Sequence, residues 1–154
     1  MVLAMTTTSP PRYLRPSWFT QHVVNRLLGR LARMGVGLKG MRQLAVPRRT
    51  SGGWQTLPVN LLELDGRRYL VAPRGETQWV RNIRVSGGGE LRLGRRVEAI
   101  RVTELPDAAK PPVLREYLRR WRSEVKVFFE DLDASAPDER LLAIAPGFPV
   151  FALD

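Results

Sequence analysis

A chain of 154 residues with no cysteine excludes disulfide scaffolds and thiolate chemistry, and one histidine, His22, leaves little for metal sites or triads. Hydrophobic residues make up 44% and charged residues 26%, so the chain is globular rather than disordered and long enough for one buried core. The net charge of +10 points to anions, whether nucleic acid, a membrane surface or a small molecule. Nearly all of it is arginine, whose forks suit phosphate and carboxylate, although GC-rich coding bias produces the same excess.

Residues 1–16 hold Thr, Ser and Pro without the apolar stretch of a signal peptide and read as a disordered lead. Residues 17–154 read as one domain. No apolar run approaches the roughly 18 residues that span a bilayer, and the lack of cysteine fits a reducing cytoplasm, where the protein is expected. Ser17 caps an amphipathic helix over 17–34, where Phe19, Val23, Leu27, Leu31 and Met34 recur on one side. Arg26, Arg30 and Arg33 lie mostly on the other. This helix either packs over the mouth of the fold or lies against the inner face of an anionic membrane.

Strands follow. Residues 41–46 form the first, and a basic, glycine-containing loop spans 47–53. Residues 56–64 and 67–72 flank Asp65-Gly66, a hairpin signal. Gly75 breaks the second of these strands. A short helix over 76–85 buries Trp79, Val80 and Ile83, and the Gly87-Gly88-Gly89 run reads as a flexible helix exit and turn. Leu91 and Leu93 open a second hairpin that returns over 97–105. Pro111 and Pro112 start a helix whose buried stripe is Leu114, Leu118, Trp121, Val125, Phe128, Phe129 and Leu132, with a break expected near Arg122. A short helix over 137–144 and a strand over 148–153 end the chain. Consecutive hairpins with an inserted helix predict a mainly β, α+β fold: a small antiparallel barrel with peripheral helices.

Familiar catalytic devices are missing. His22 reads as an exposed helix residue. No serine sits in a nucleophile elbow, no carboxylates cluster at ligand spacing, and the triple glycine lacks the strand-before, helix-after context of a dinucleotide loop. No metal is expected. No basic strand interleaved with aromatics suggests base stacking, so no nucleic-acid partner is expected. Two segments remain. Arg48-Arg49-Thr50-Ser51-Gly52 joins guanidiniums, hydroxyls and permissive backbone, as a phosphate cradle or a solvated turn would. Ala72-Pro73-Arg74-Gly75 leads from a strand into a helix N-terminus, which favours anions, although an ordinary turn reads the same. Asn82 has no evident packing reason to sit beside Trp79 and Ile83.

Together these segments resemble the deazaflavin (coenzyme F420)-dependent nitroreductase family. The run from Pro47 through Asn60 is similar to its basic loop and following strand. The run from Tyr69 to Gly75, then Gln78-Trp79-Val80-Arg81-Asn82-Ile83-Arg84, resembles its strand and Trp-x-x-Asn helix. Pro149-Val150-Phe151 resembles its closing strand. The resemblance covers about residues 40–154. It implies a split β-barrel of FMN-binding type. It further implies hydride transfer from a reduced deazaflavin to an electron-poor acceptor such as a quinone, an enone or a nitro compound. Arg48, Arg49, Thr50, Ser51 and Gly52 would hold the phosphate or the glutamate tail, and Pro58 would begin the strand passing the ring. Ala72, Pro73, Arg74 and Gly75 would form the second loop, with Trp79 and Asn82 on the helix. Arg48, Thr50 and Gln55 depart from the family, which often has Gly, Lys and Arg there. Tyr117, Phe128 and Phe129 are the substrate-side candidates, each equally readable as core. FMN in place of F420 stays open, as do a non-catalytic module for a cofactor or lipid and a homodimer.

Overall fold

The computed structural model of the chain describes residues 40–129 and 131–154. The lead over 1–16, the helix over 17–34 and His22 lie outside them.

Six strands form a closed barrel: β1 (Met41–Pro47), β2 (Trp54–Leu64), β3 (Arg67–Val71), β4 (Gly88–Leu93), β5 (Arg96–Glu104) and β6 (Val150–Leu153). Their order around the barrel is β1-β2-β3-β6-β5-β4, and every neighbouring pair is antiparallel. The β2–β3 turn is Asp65-Gly66, with φ of 51° and 77°. Positive φ at both central residues gives a turn whose twist matches the strands.

Helix α1 (Gln78–Ser86) joins β3 to β4 and packs mainly on β1 and β4. Trp79, Val80 and Ile83 enter the barrel core beside Leu44, Val46, Leu70 and Phe151. The rings of Trp79 and Phe151 lie 5.7 Å apart, tilted by 54°. Gly87, at φ 73°, caps α1 and donates to the Ile83 carbonyl. The rest of the triple glycine is not the flexible exit expected: Gly88 and Gly89 are the first residues of β4. A Cβ on Gly88 would stand 2.1 Å from the Ile100 carbonyl oxygen, and one on Gly89 would stand 2.3 Å from that of Ala45. Close backbone approach explains these glycines, not mobility.

Helices α2 (Pro111–Phe129) and α3 (Asp138–Ile144) cover the outside of the barrel. Val113, Leu114, Leu118, Trp121 and Leu141 form a second core with Leu62, Val71 and Val150. The helix breaks at Trp121 (φ −127°, ψ 22°), one residue from the expected position. Lys110, 3% exposed, donates to Asp107 Oδ1 at 2.7 Å and the Ala145 carbonyl at 3.0 Å, tying the start of α2 to the turn after α3. Among the described residues no helix is long and apolar enough to cross a membrane.

Candidate functional site

The basic loop over 48–53 links β1 to β2 and closes on itself through the Arg48 N–H to the Gly53 carbonyl at 3.0 Å. Gly52 and Gly53 have φ of 69° and 73°, conformations that suit glycine. Arg48, Arg49, Thr50 and Ser51 are exposed, and Ser51 Oγ reaches only the neighbouring Gly52 carbonyl.

Arg49 turns from this loop onto α1. Its backbone N–H donates to Asn82 Oδ1 at 3.2 Å, Nη1 donates to the same oxygen at 2.7 Å, and Nη2 donates to Gln78 Oε1 at 2.9 Å. Asn82 Nδ2 donates to Gln55 Oε1 at 2.8 Å. Asn82 is 4% exposed. It therefore has a packing reason the sequence did not disclose: it pins the loop to the helix.

The acceptors around Arg49 are all neutral amides. Arg68, Arg84, Arg92, Arg115, Arg119, Arg120 and Arg140 each meet a carboxylate instead. A carboxylate would orient an arginine and cancel its charge; amides orient it and leave the charge.

The second loop runs into the N-terminus of α1, where Arg49 reaches Gln78, the first helical residue. Ala72 is buried in the barrel and donates to the Pro149 carbonyl at 2.8 Å. Gly75 is buried with φ 82° and donates to the Ala72 carbonyl at 3.1 Å. Thr77 occupies the cap position, but its side chain makes no capping bond, and Thr77 Oγ1 is buried without a hydrogen-bond partner. No acidic residue lies in the first turn. The positive end of the helix dipole thus has no neutralising side chain on the helix itself.

The other residues singled out by sequence scatter. Pro58 is exposed on β2, paired with Gln43. Trp79 is barrel core. Tyr117 is 3% exposed, packed between Trp121 and Phe129 at 5.3 and 6.1 Å. Burial pushes its phenol up in pKa, and a hydrogen bond with Asn60 opposes that. Phe129 is 2% exposed and stacks on Phe148 at 4.4 Å. Phe128, expected on the buried stripe, is half-buried under Arg74.

Gln55 stood in the sequence only as a departure from the family pattern, and Thr77 and Gln78 were not among the site candidates. The signal for Gln78 was its place four residues before Asn82, on the same helix face. A cavity of about 610 Å³ opens beside Pro47, Trp54, Gly87 and Arg101, and none of the candidate cofactor- or substrate-binding residues lines it. Among the described residues, no His, Cys, Asp and Glu side chains cluster for a metal ion.

No family model matches the sequence, and no curated protein is significantly similar to it. Solved structures are similar in fold. One, a domain-swapped dimer, is 16% identical with a TM-score of 0.53, over 87% of this chain and 98% of its own. The chain is a split β-barrel. An F420-H2 dependent reductase is 15% identical with a TM-score of 0.51, over 75% of this chain and 95% of its own. A protein of unknown function from Agrobacterium tumefaciens is 18% identical with a TM-score of 0.54, over 94% of this chain and 58% of its own.

Proposed function

We propose that this split barrel is an oxidoreductase that binds coenzyme F420 and passes a hydride from its reduced ring to an electron-poor organic acceptor. The observation that carries the reading is Arg49: its guanidinium is held by two hydrogen bonds to neutral amides and its backbone N–H by a third, at the mouth of an uncapped helix N-terminus. That donor set fits a phosphate group. Arg49 supplies a charge-assisted fork, the first turn of α1 supplies free N–H groups, and Thr77 Oγ1 supplies an unused hydroxyl.

Bound there, the coenzyme would bring the redox chemistry, with two electrons and a proton leaving as hydride. The chain would bind and orient it and keep water away. This division of labour is consistent with the lack of an acid–base set. Pro73, half-buried in the loop after β3, would line the ring, Arg48 and Arg74 would meet the outer anionic groups, and Phe128 is the substrate-side candidate we retain. Likeness to an F420-H2 dependent reductase supports the coenzyme, and likeness to a domain-swapped dimer supports pairing of two copies.

The test is titration of purified protein with F420 and FMN, followed by turnover of the reduced coenzyme with a quinone, an enone and a nitroarene. Micromolar F420 binding with turnover is expected. Preferred FMN binding replaces the cofactor, binding without turnover leaves a storage module, and binding of neither overturns the reading. Light scattering reads the oligomeric state. Flotation on anionic liposomes, with and without residues 1–35, tests the expected membrane contact.

A further inference from the structure

A guanidinium has donors and no acceptor. Arg49 offers two donors to Asn82, so the side-chain oxygen of Asn82 must face it, and the amide nitrogen must face Gln55. Gln55 must then present its own oxygen. Chemistry fixes the direction of every bond in the row Gln55, Asn82, Arg49, with no freedom for an amide to turn.

We propose that Gln55 is a positioning and specificity-determining residue. By accepting from Asn82 it holds Arg49 as the single ordered cation of the loop. The site then selects a ligand for one phosphate group and gains little from further anionic groups. This rests on the phosphate reading above and sharpens it.

The row cannot serve two cations. An arginine at position 55 would have nothing to accept the Asn82 Nδ2–H. It would compete with Arg49 for the one Asn82 oxygen, and the amide would turn toward it. A second ordered fork at position 55 would therefore cost the first. Arg48, next in the loop, is exposed and makes no hydrogen bond or ion pair through its side chain among the described residues. A long solvated side chain loses entropy on being fixed and acts through a screened charge.

The experiment uses the full chain with Gln55→Arg, Gln55→Met and Gln55→Glu. One readout is hydrogen exchange of the Arg49 backbone N–H, which reports the Asn82 contact without any ligand. The other is the dissociation constant for riboflavin, FMN and F420, which carry no phosphate, one phosphate, and a phosphate with a glutamate tail.

Gln55→Arg should speed Arg49 exchange and weaken FMN binding about tenfold, the effect of one lost charge-assisted bond, although it adds a positive charge. Gln55→Met should change both in the same direction. Gln55→Glu keeps an acceptor and should keep Arg49 protected. If Gln55→Arg does not fold, the Met and Glu variants decide by the same exchange readout. Tighter FMN binding by Gln55→Arg, or unchanged Arg49 protection in both Arg and Met variants, overturns the positioning role. Wild-type protein that binds riboflavin, FMN and F420 equally overturns the phosphate reading instead, so the two failures are told apart.

Discussion

The guanidinium of Arg74 lies over the ring of Phe128, 5.5 Å from its centroid. This joins the loop after β3 to the last turn of α2, two elements far apart in sequence. Phe128 is half-buried while its neighbour Phe129 is 2% exposed in the helical core. Phe129→Ala should cost about 3–5 kcal/mol, as deletion of a buried ring does. Phe128→Ala should cost about 1 kcal/mol, the scale of a cation–π contact at a partly exposed site. Its larger effect should be on turnover with the acceptor. Thermal melts beside steady-state kinetics separate the two; equal loss of stability would make Phe128 core.

Asn82 is both support and site. Asn82→Ala removes the shared acceptor of Arg49 and leaves part-buried groups without partners, so it should destabilise the protein by about 1 kcal/mol as well as weaken phosphate binding. Asn82→Asp separates these roles. A carboxylate still accepts from Arg49, and Gln55 can turn its amide to donate. Arg49 would stay ordered, with its charge balanced by the new carboxylate. A near-normal melting temperature with at least about tenfold weaker FMN or F420 binding is expected. Retained affinity would show that the charge of Arg49 is not what the ligand meets.

The barrel was legible because its signals are local. Asp65-Gly66 dictates a turn, alternating residues dictate strands, and Trp79, Val80 and Ile83 fall on one side of a short helix. The site was legible only in part. Arg49 and Asn82 stand 33 residues apart, and nothing in either segment says that one guanidinium crosses to the other's amide. Gln55 read as a departure from a basic pattern, because its value lies in accepting from Asn82, a property no residue-type pattern encodes. Tyr117 and Phe128 show the same limit. Both sit on one apolar face by periodicity, yet only the packing of β3 and its loop leaves Phe128 partly open.

The glycines at the α1–β4 junction should respond unequally to alanine. Gly87 has open space around its Cβ position but a φ of 73°, so Gly87→Ala should cost about 1 kcal/mol of backbone strain. At Gly88 and Gly89 the added methyl meets carbonyl oxygens of neighbouring strands, and the backbone has to move. Each should cost about 1–3 kcal/mol or more and loosen β4 from its neighbours. Urea midpoints for the three variants test this; equal values would restore the flexible-turn reading.

Glu116 on α2 links stability to acid. Its hydrogen bond from Arg119 holds the carboxyl below the ordinary value of 4.5, with Arg120 adding and burial opposing. A carboxyl whose folded pKa is depressed stabilises the protein above its unfolded value. That contribution fades as pH falls through the folded one. The window therefore opens below about pH 4.5, and Glu116→Gln should flatten the fall in urea midpoint there while leaving the neutral side nearly parallel to wild type. The effect should be small, because both arginines are solvent-accessible and salt screens them. An unchanged acid limb in Glu116→Gln would mean that other carboxylates carry it.

Salt separates the two arginines of the basic loop. Both are exposed, but Arg49 is held by Asn82 and Gln78 beside the helix N-terminus, whereas the Arg48 side chain is held by nothing among the described residues. A charge-assisted contact from an ordered guanidinium, covered by its bound ligand, contributes about 1.5–3 kcal/mol. A rim contact contributes under about 1 kcal/mol and weakens as the Debye length shortens. Arg49→Ala should therefore weaken F420 and a tail-less deazaflavin phosphate alike, by about ten- to a hundredfold, at low and at high salt. Arg48→Ala should only erase a small preference for the tailed coenzyme, and only at low salt, since in wild type that preference should itself vanish as salt rises. The measurement is four dissociation constants per protein, two ligands at two ionic strengths. If Arg49→Ala binds both ligands normally, the amides around Arg49 hold a surface turn together and no anion is bound there.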